Sequence, residues 1–243
     1  MRTVVSALTC LLCLRCFFPI NANAADGESI MVHGGSNPAA LPCITCHGSD
    51  GKGMPAAGFP RLAGLPSAYI AKQLLDFRSG TRLNPIMQPI AAALSDDEMA
   101  AAASAYAARP KVNVIASTAR PTEGTGAWLA LRGAWDRNIP ECTLCHGPDG
   151  VGVDSTFPPL AGQSALYIES QLKAWRGVAG DSGKPQKAGK KAKAAPSRRN
   201  DPNSLMQHIA RDLTDAEIKA VAEYFANLGD STEPFDDSQH RLR

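Results

Sequence analysis

The sequence predicts an all-α protein built from two tandem copies of one small domain. Three observations predict it. The pentapeptide Cys-x-x-Cys-His occurs at Cys43–His47 and again at Cys142–His146. The likeness between the two halves continues well beyond each pentapeptide. Apolar residues recur at helical spacing, two Ser/Thr-x-x-Glu capping signatures stand before such runs, and strand signals are nearly absent. With 243 residues the chain has room for two such domains.

Residues 1–24 read as a secretory leader. Arg2 opens it, Val4 to Leu14 is largely apolar, and Ala22-Asn23-Ala24 fits the small-x-small rule for cleavage after Ala24. Cys10, Cys13 and Cys16 fall inside the leader, with Leu14 and Phe17 where a histidine would have to stand. Four cysteines remain after the leader, all within the two pentapeptides. None is left for a disulfide. No later segment is long and apolar enough to span a bilayer.

The first domain is read as 25–109. Its Cys43-Ile44-Thr45-Cys46-His47 is the attachment signal of a c-type haem. Cysteines three apart lie on one side of a helical turn and reach both vinyl groups of one porphyrin. The adjoining histidine then stands under the iron. A zinc ribbon would place its Cys-x-x-Cys knuckles much closer together, and a thioredoxin-like pair would follow a strand rather than Pro42 or Pro140. Cys43, Cys46, Cys142 and Cys145 are thus expected to attach two haems, with His47 and His146 as proximal ligands. Aromatics make up only 6% of the chain, which suits small helical domains whose core is largely porphyrin. The carbonyls of Pro60 and Pro158 are candidate acceptors for the second ring nitrogen of each histidine.

The segments that follow correspond closely. His47-Gly48-Ser49-Asp50-Gly51-Lys52-Gly53 matches His146-Gly147-Pro148-Asp149-Gly150-Val151-Gly152, and Phe59-Pro60-Arg61-Leu62-Ala63-Gly64 matches Phe157-Pro158-Pro159-Leu160-Ala161-Gly162. A helix follows in each copy, capped by Ser67 or Ser164, with stripes Ile70, Leu74, Phe77 and Ile168, Leu172, Trp175. Closing helices start at the capping boxes Ser95–Glu98 and Thr214–Glu217. Residues 110–123 read as a linker, 124–230 as the second domain and 231–243 as a tail.

The capping boxes set the register for the sixth iron ligand. The offset that carries Ser95 onto Thr214 also carries Met87 onto Met206. Methionine is a common axial partner of histidine in electron-carrying haems. Met54 and Met99 correspond to Val153 and Ile218, so they drop out. His208 competes with Met206 at the second site. Arg78, Arg82, Arg176 and Arg199 are candidates for pairing with haem propionates.

On these residues the chain resembles the cytochrome c4 family of di-haem periplasmic cytochromes, from about Ala25 to Leu228. The resemblance implies two class I cytochrome c domains, each wrapped round one covalent haem, with His/Met iron in both. It also implies electron delivery between periplasmic or membrane redox enzymes and a terminal acceptor, such as a membrane oxidase. Two other roles stay open: a cytochrome subunit of a dehydrogenase complex, and a catalytic haem enzyme of peroxidase or thiosulfate-oxidising type. The matched methionines argue against the catalytic role. No Ser/His/Asp arrangement, phosphate loop or nucleotide motif is present, and no nucleic-acid partner is expected.

Two segments depart from the resemblance. Gly34–Pro42 reads as a longer approach to the first haem motif. Residues 177–199 read as an insertion in the second domain, expected to be a loop. Asp181–Arg199 holds five Lys, two Arg and one Asp, a net charge of +6. Such a stretch would steer docking to an acidic partner.

Overall fold

The computed structural model describes residues 25–114, 120–177 and 197–229. The expected leader, the tail and residues 178–196 of the basic insertion lie outside the described residues. Two sets of five helices follow one another. The first comprises α1 (Gly27–His33), α2 (Ile44–His47), α3 (Ser67–Ser79), α4 (Met87–Ala93) and α5 (Asp96–Ala107). The second comprises α6 (Gly126–Arg132), α7 (Cys142–His146), α8 (Ala165–Arg176), α9 (Leu205–Asp212) and α10 (Asp215–Ala226). Among the described residues the extended pairings are isolated bridges only.

Each set packs in the same way. α1 and α3 lie on α5, and α3 on α4; α6 and α8 lie on α10, and α8 on α9. The first helix of each set is capped by a side chain, Asp26 for α1 and Thr125 for α6. It then crosses the closing helix at a glycine. A Cβ on Gly27 would collide with the Ala101 carbonyl, and one on Gly126 with the Ala220 carbonyl. Both capping boxes form as the sequence predicts, Ser95 with Glu98 and Thr214 with Glu217.

Ser164 caps α8 through Tyr167 N, but Ser67 does not cap α3. Tyr69 and Tyr167 fix the register here, so Ser164 corresponds to Pro66 and Ser67 to Ala165. Pro66 offers only its carbonyl, which accepts from Ile70 N at 3.1 Å.

The approach to the first haem motif, read as long, is shared by the second domain. Gly34–Pro42 has an equal counterpart in Gly133–Glu141. Gly35 N donates to Ala40 O at 2.9 Å in the first, and Ala134 and Ile139 exchange two bonds, at 2.7 and 3.1 Å, in the second.

The second domain has one buried cluster around Ile139, Ile218, Tyr224 and Phe225, and both Cys142 and Met206 pack on it. In the first domain the core divides. Met87 packs on the part holding Ile30, Phe77 and Met99, and Cys43 on the part holding Met31, Ile70 and Tyr106, with Leu74 touching both.

The domains are joined through buried polar groups. Gln163 accepts from Arg61 N at 2.9 Å and donates to Arg61 O at 3.0 Å, as a strand neighbour would. Arg61 also donates to Ala63 O and to Pro110 O, which ties this contact to the start of the linker. Ser197–Asn200, at the end of the expected loop, belong to this interface rather than to a solvated insertion. Leu83 N donates to Ser197 O at 2.7 Å and Arg199 N to Thr81 O at 2.8 Å.

Candidate functional site

α2 and α7 are single helical turns that carry the two pentapeptides. Each turn ends at a glycine with positive φ, Gly48 at 77° and Gly147 at 77°. The chain then folds back over its own histidine. His47 O accepts from Gly53 N at 2.8 Å, and His146 O accepts from Gly152 N at 2.7 Å. This return needs glycine. Gly53 has φ 80°, and a Cβ there would lie 2.5 Å from Phe59 O.

The return brings Pro60 and Pro158 over the imidazoles. His47 Nδ1 donates to Pro60 O at 2.9 Å, and His146 Nδ1 donates to Pro158 O at 2.8 Å. A carbonyl only accepts, so Nδ1 carries the proton and Nε2 keeps its lone pair. Burial pushes both imidazoles below their ordinary pKa, which favours the neutral, ligating form. Among the described residues none of the four motif cysteines is in a disulfide, which leaves all four sulfurs for attachment to porphyrin.

Met87 opens α4. Asn84 Oδ1 fixes its approach by accepting from Ile86 N and Met87 N at 2.9 and 2.8 Å. Met206 is the second residue of α9 and is reached differently. Asn203 and Ser204 both take left-handed backbone, and Asp201 accepts from Gln207 N at 2.8 Å. Both methionines are half-buried against their domain cores. His208, the rival of Met206, has a side chain 62% exposed and stands 3.8 Å from Asp212. Met99 is buried in α5, and Met54 is exposed.

The four arginines expected near propionates divide. Arg78 pairs with Asp96 at 2.6 Å, and Arg176 pairs with Asp215. Arg199 donates to Gly80 O at 3.3 Å. Arg82 is only 5% exposed and lies in the domain interface. Its partner there is Arg198, 4% exposed, which sequence reasoning missed.

The surroundings of these two arginines are duplicated. Gln73 Oε1 accepts from Arg82 at 2.9 Å and from Arg198 at 3.2 Å. Gln171 Oε1 accepts from Arg82 at 2.8 Å and from Arg198 at 3.1 Å. Arg82 lies over the Phe77 ring at 4.4 Å, and Arg198 over the Trp175 ring at 3.7 Å. The signal was present in the sequence. Tyr69 and Gln73 recur as Tyr167 and Gln171, polar pairs four residues apart that a core-facing stripe does not need.

In each domain, then, two thiols one turn apart, a histidine with Nδ1 tied and Nε2 free, and a half-buried methionine fit one covalent haem. Comparison with known proteins agrees. The sequence pattern of the family described as Cytochrome c matches residues 35–106 and 138–229. A thiosulfate dehydrogenase electron acceptor from Stutzerimonas stutzeri (strain A1501) is 57% identical over 86% of this chain and 89% of its own length. The crystal structure of reduced recombinant cytochrome c4 from Pseudomonas stutzeri superposes with a TM-score of 0.62 at 30% identity, over 80% of this chain and 99% of that one. The as-isolated form of a thiosulfate dehydrogenase from Marichromatium purpuratum superposes at 0.66 with 37% identity. The match covers 82% of this chain and only 39% of that larger one.

The chain belongs to the cytochrome c family, and within it to the di-haem cytochrome c4 group. It is an electron carrier that holds one covalent haem c in each of its two domains.

Proposed function

We propose that this cytochrome is a periplasmic acceptor of electrons from a thiosulfate dehydrogenase, and that it performs no chemistry on thiosulfate itself. The observation that carries the reading is the 57% identity to a thiosulfate dehydrogenase electron acceptor over 89% of that protein. On this reading residues 1–24 are removed on export. Residues 25–109 and 124–230 then form the two domains on either side of the 110–123 linker, and a membrane oxidase is a fitting onward acceptor.

Cys43 and Cys46 attach the first haem, and Cys142 and Cys145 the second. His47 with Met87, and His146 with Met206, would ligate the two irons. Each haem supplies a one-electron iron couple whose potential methionine ligation raises relative to bis-histidine. The chain's own residues do the rest. Pro60 and Pro158 hold the imidazoles in one tautomer and orientation. The turns before α4 and α9 set the methionines, and a held methionine closes the iron to substrate.

The test mixes the ferric holoprotein with thiosulfate, with and without a thiosulfate dehydrogenase, and follows the ferrous haem absorbance. Reduction that requires both is expected. No reduction with both present would remove this partner. Reduction by thiosulfate alone, together with rapid carbon monoxide binding at one haem, would make the chain a catalyst.

A further inference from the structure

Tyr106 carries a polar group that the fold leaves unanswered. The residue is 1% exposed and belongs to the cluster of Met31, Leu65, Ile70 and Ala103. Its hydroxyl is sealed from solvent and has no nitrogen or oxygen partner. A buried hydroxyl without a partner is destabilising, so its presence calls for an acceptor. Cys43 packs against the same cluster. The two groups act on each other. The Tyr106 hydroxyl draws the Cys43 thiol down against the burial that raises it, and Cys43 adds to the burial that raises Tyr106. Tyr106 therefore keeps its proton and can donate it. Arg109 and Glu28 act on the hydroxyl by charge alone, and they pair with each other at 2.6 Å.

The second domain copies everything here except the oxygen. Phe225 stands where Tyr106 does: Gly64 N donates to Tyr106 O and Gly162 N to Phe225 O, both at 2.9 Å. The rings are placed alike. A Cβ on Gly51 would lie 3.0 Å from the Tyr106 ring, and one on Gly150 would lie 2.6 Å from the Phe225 ring. Tyr224 meets the Phe225 ring edge-on at 5.2 Å, but it corresponds to Ala105 and does not fill the Tyr106 position. Among the described residues no hydroxyl acts on Cys142, the counterpart of Cys43.

Haem attachment changes what the Cys43 sulfur can do. The S–H bond and the vinyl π bond break, an S–C bond forms, and the thiol hydrogen ends on the neighbouring vinyl carbon, with no net oxidation. As a thiol, Cys43 Sγ donates to Ile30 O at 3.9 Å. As a thioether it has lost that hydrogen and can only accept. We propose that Tyr106 is a positioning residue of the first haem, whose O–H donates to the Cys43 thioether sulfur, and that the second domain has no such bond. The proposal rests on Cys43 as an attachment residue. The bond commits one sulfur lone pair and so holds the thioether in one torsion at the porphyrin edge. It also turns the positive end of a buried O–H dipole toward the porphyrin, which favours the less positive ferrous state. The first potential is thereby raised and the second is not.

The experiment combines a redox titration of the holoprotein with resonance Raman spectra of the thioether C–S stretch in water and in fully exchanged D2O. Tyr106→Phe copies the second domain. It is expected to lower one midpoint, leave the other in place, and abolish a D2O shift of the C–S band that the wild type shows. Phe225→Tyr writes the hydroxyl into the second domain and is expected to raise the other midpoint. Tyr106→Phe decides the matter if that second variant does not fold. Unchanged midpoints in Tyr106→Phe would overturn the proposal, even if the variant melted at a lower temperature. A lowered midpoint with no D2O shift in the wild type would assign the effect to packing and overturn it too. A pyridine haemochrome spectrum, taken on the same samples, counts the thioethers. Fewer than two per haem would remove the attachment reading and the proposal with it, whereas two per haem with unmoved midpoints would remove the proposal alone.

Discussion

His47 and His146 show how little sequence is needed to fix an orientation. A proline carbonyl twelve or thirteen residues away accepts the hydrogen bond from Nδ1 of each ring, at 2.8 and 2.9 Å. That partner was legible because the Phe-Pro segments recur in both copies. Replacing Gly53 by alanine tests the arrangement. A side chain at φ 80° is strained, and its Cβ would press on Phe59 O. The expected cost is about 1–3 kcal/mol, read as a lower melting temperature. Met206→Ala is expected to open the second iron, so that the reduced protein binds about one carbon monoxide per chain. His208→Ala should bind none, since that imidazole faces solvent beside Asp212. The attachment and ligand candidates could be read from spacing and register. Arg198 was passed over, because it sits at the end of a basic run, where charge usually means solvation.

At the scale of single helices, the closing pair α5 and α10 carry the same device with different neighbours. Glu98 in α5 also accepts from Ser36 N at 2.6 Å, and so ties the approach loop to the cap. Glu217 in α10 pairs with Arg137 instead. Removing either cap hydroxyl, Ser95→Ala or Thr214→Ala, is expected to cost about 1 kcal/mol by thermal denaturation. The Ser36 and Ser95 backbone N–H groups hold the Glu98 carboxyl below the usual carboxylate range. Its contribution is then complete above the unfolded glutamate pKa of about 4.3 and is lost as pH falls through the lower folded value. Melting temperatures followed from pH 6 downward should fall, and less steeply in Glu98→Gln. The capping boxes were legible because both partners are local. The start of α3 was misplaced by one residue because Ser67 is a good cap by type, while the tyrosine register puts Pro66 there.

Across the whole molecule, the relation between the domains depends on residues that no local pattern marks. Arg61 corresponds to Pro159 and Gln163 to Leu65, so this pair occurs once and stands outside the repeat. Arg61 N and O meet the Gln163 amide, and the side chain reaches Pro110 O at 2.8 Å. Gln163→Ala is expected to remove about 1–3 kcal/mol of interdomain stability, since it leaves the buried Arg61 N–H and C=O without their partner. X-ray scattering should show a larger radius of gyration, with both haem spectra unchanged. The duplicated fold was legible from the repeat, but the interface was not. Repeats report what two domains share, and docking also uses what they do not. The basic insertion changes meaning for the same reason. Arg198 is spent inside the protein, so the charge left for an outside partner is smaller than the sequence suggests.

The glycine crossings of α1 over α5 and of α6 over α10 have a consequence for the order of events during synthesis. Each domain is sealed by its two ends, and its cysteines lie between them. A growing chain has the first pentapeptide available long before α5 exists to shut the domain around it. Contacts so distant along the chain also form slowly. Attachment of the porphyrin therefore has a natural interval, once per domain and first domain first, before the closing helix arrives.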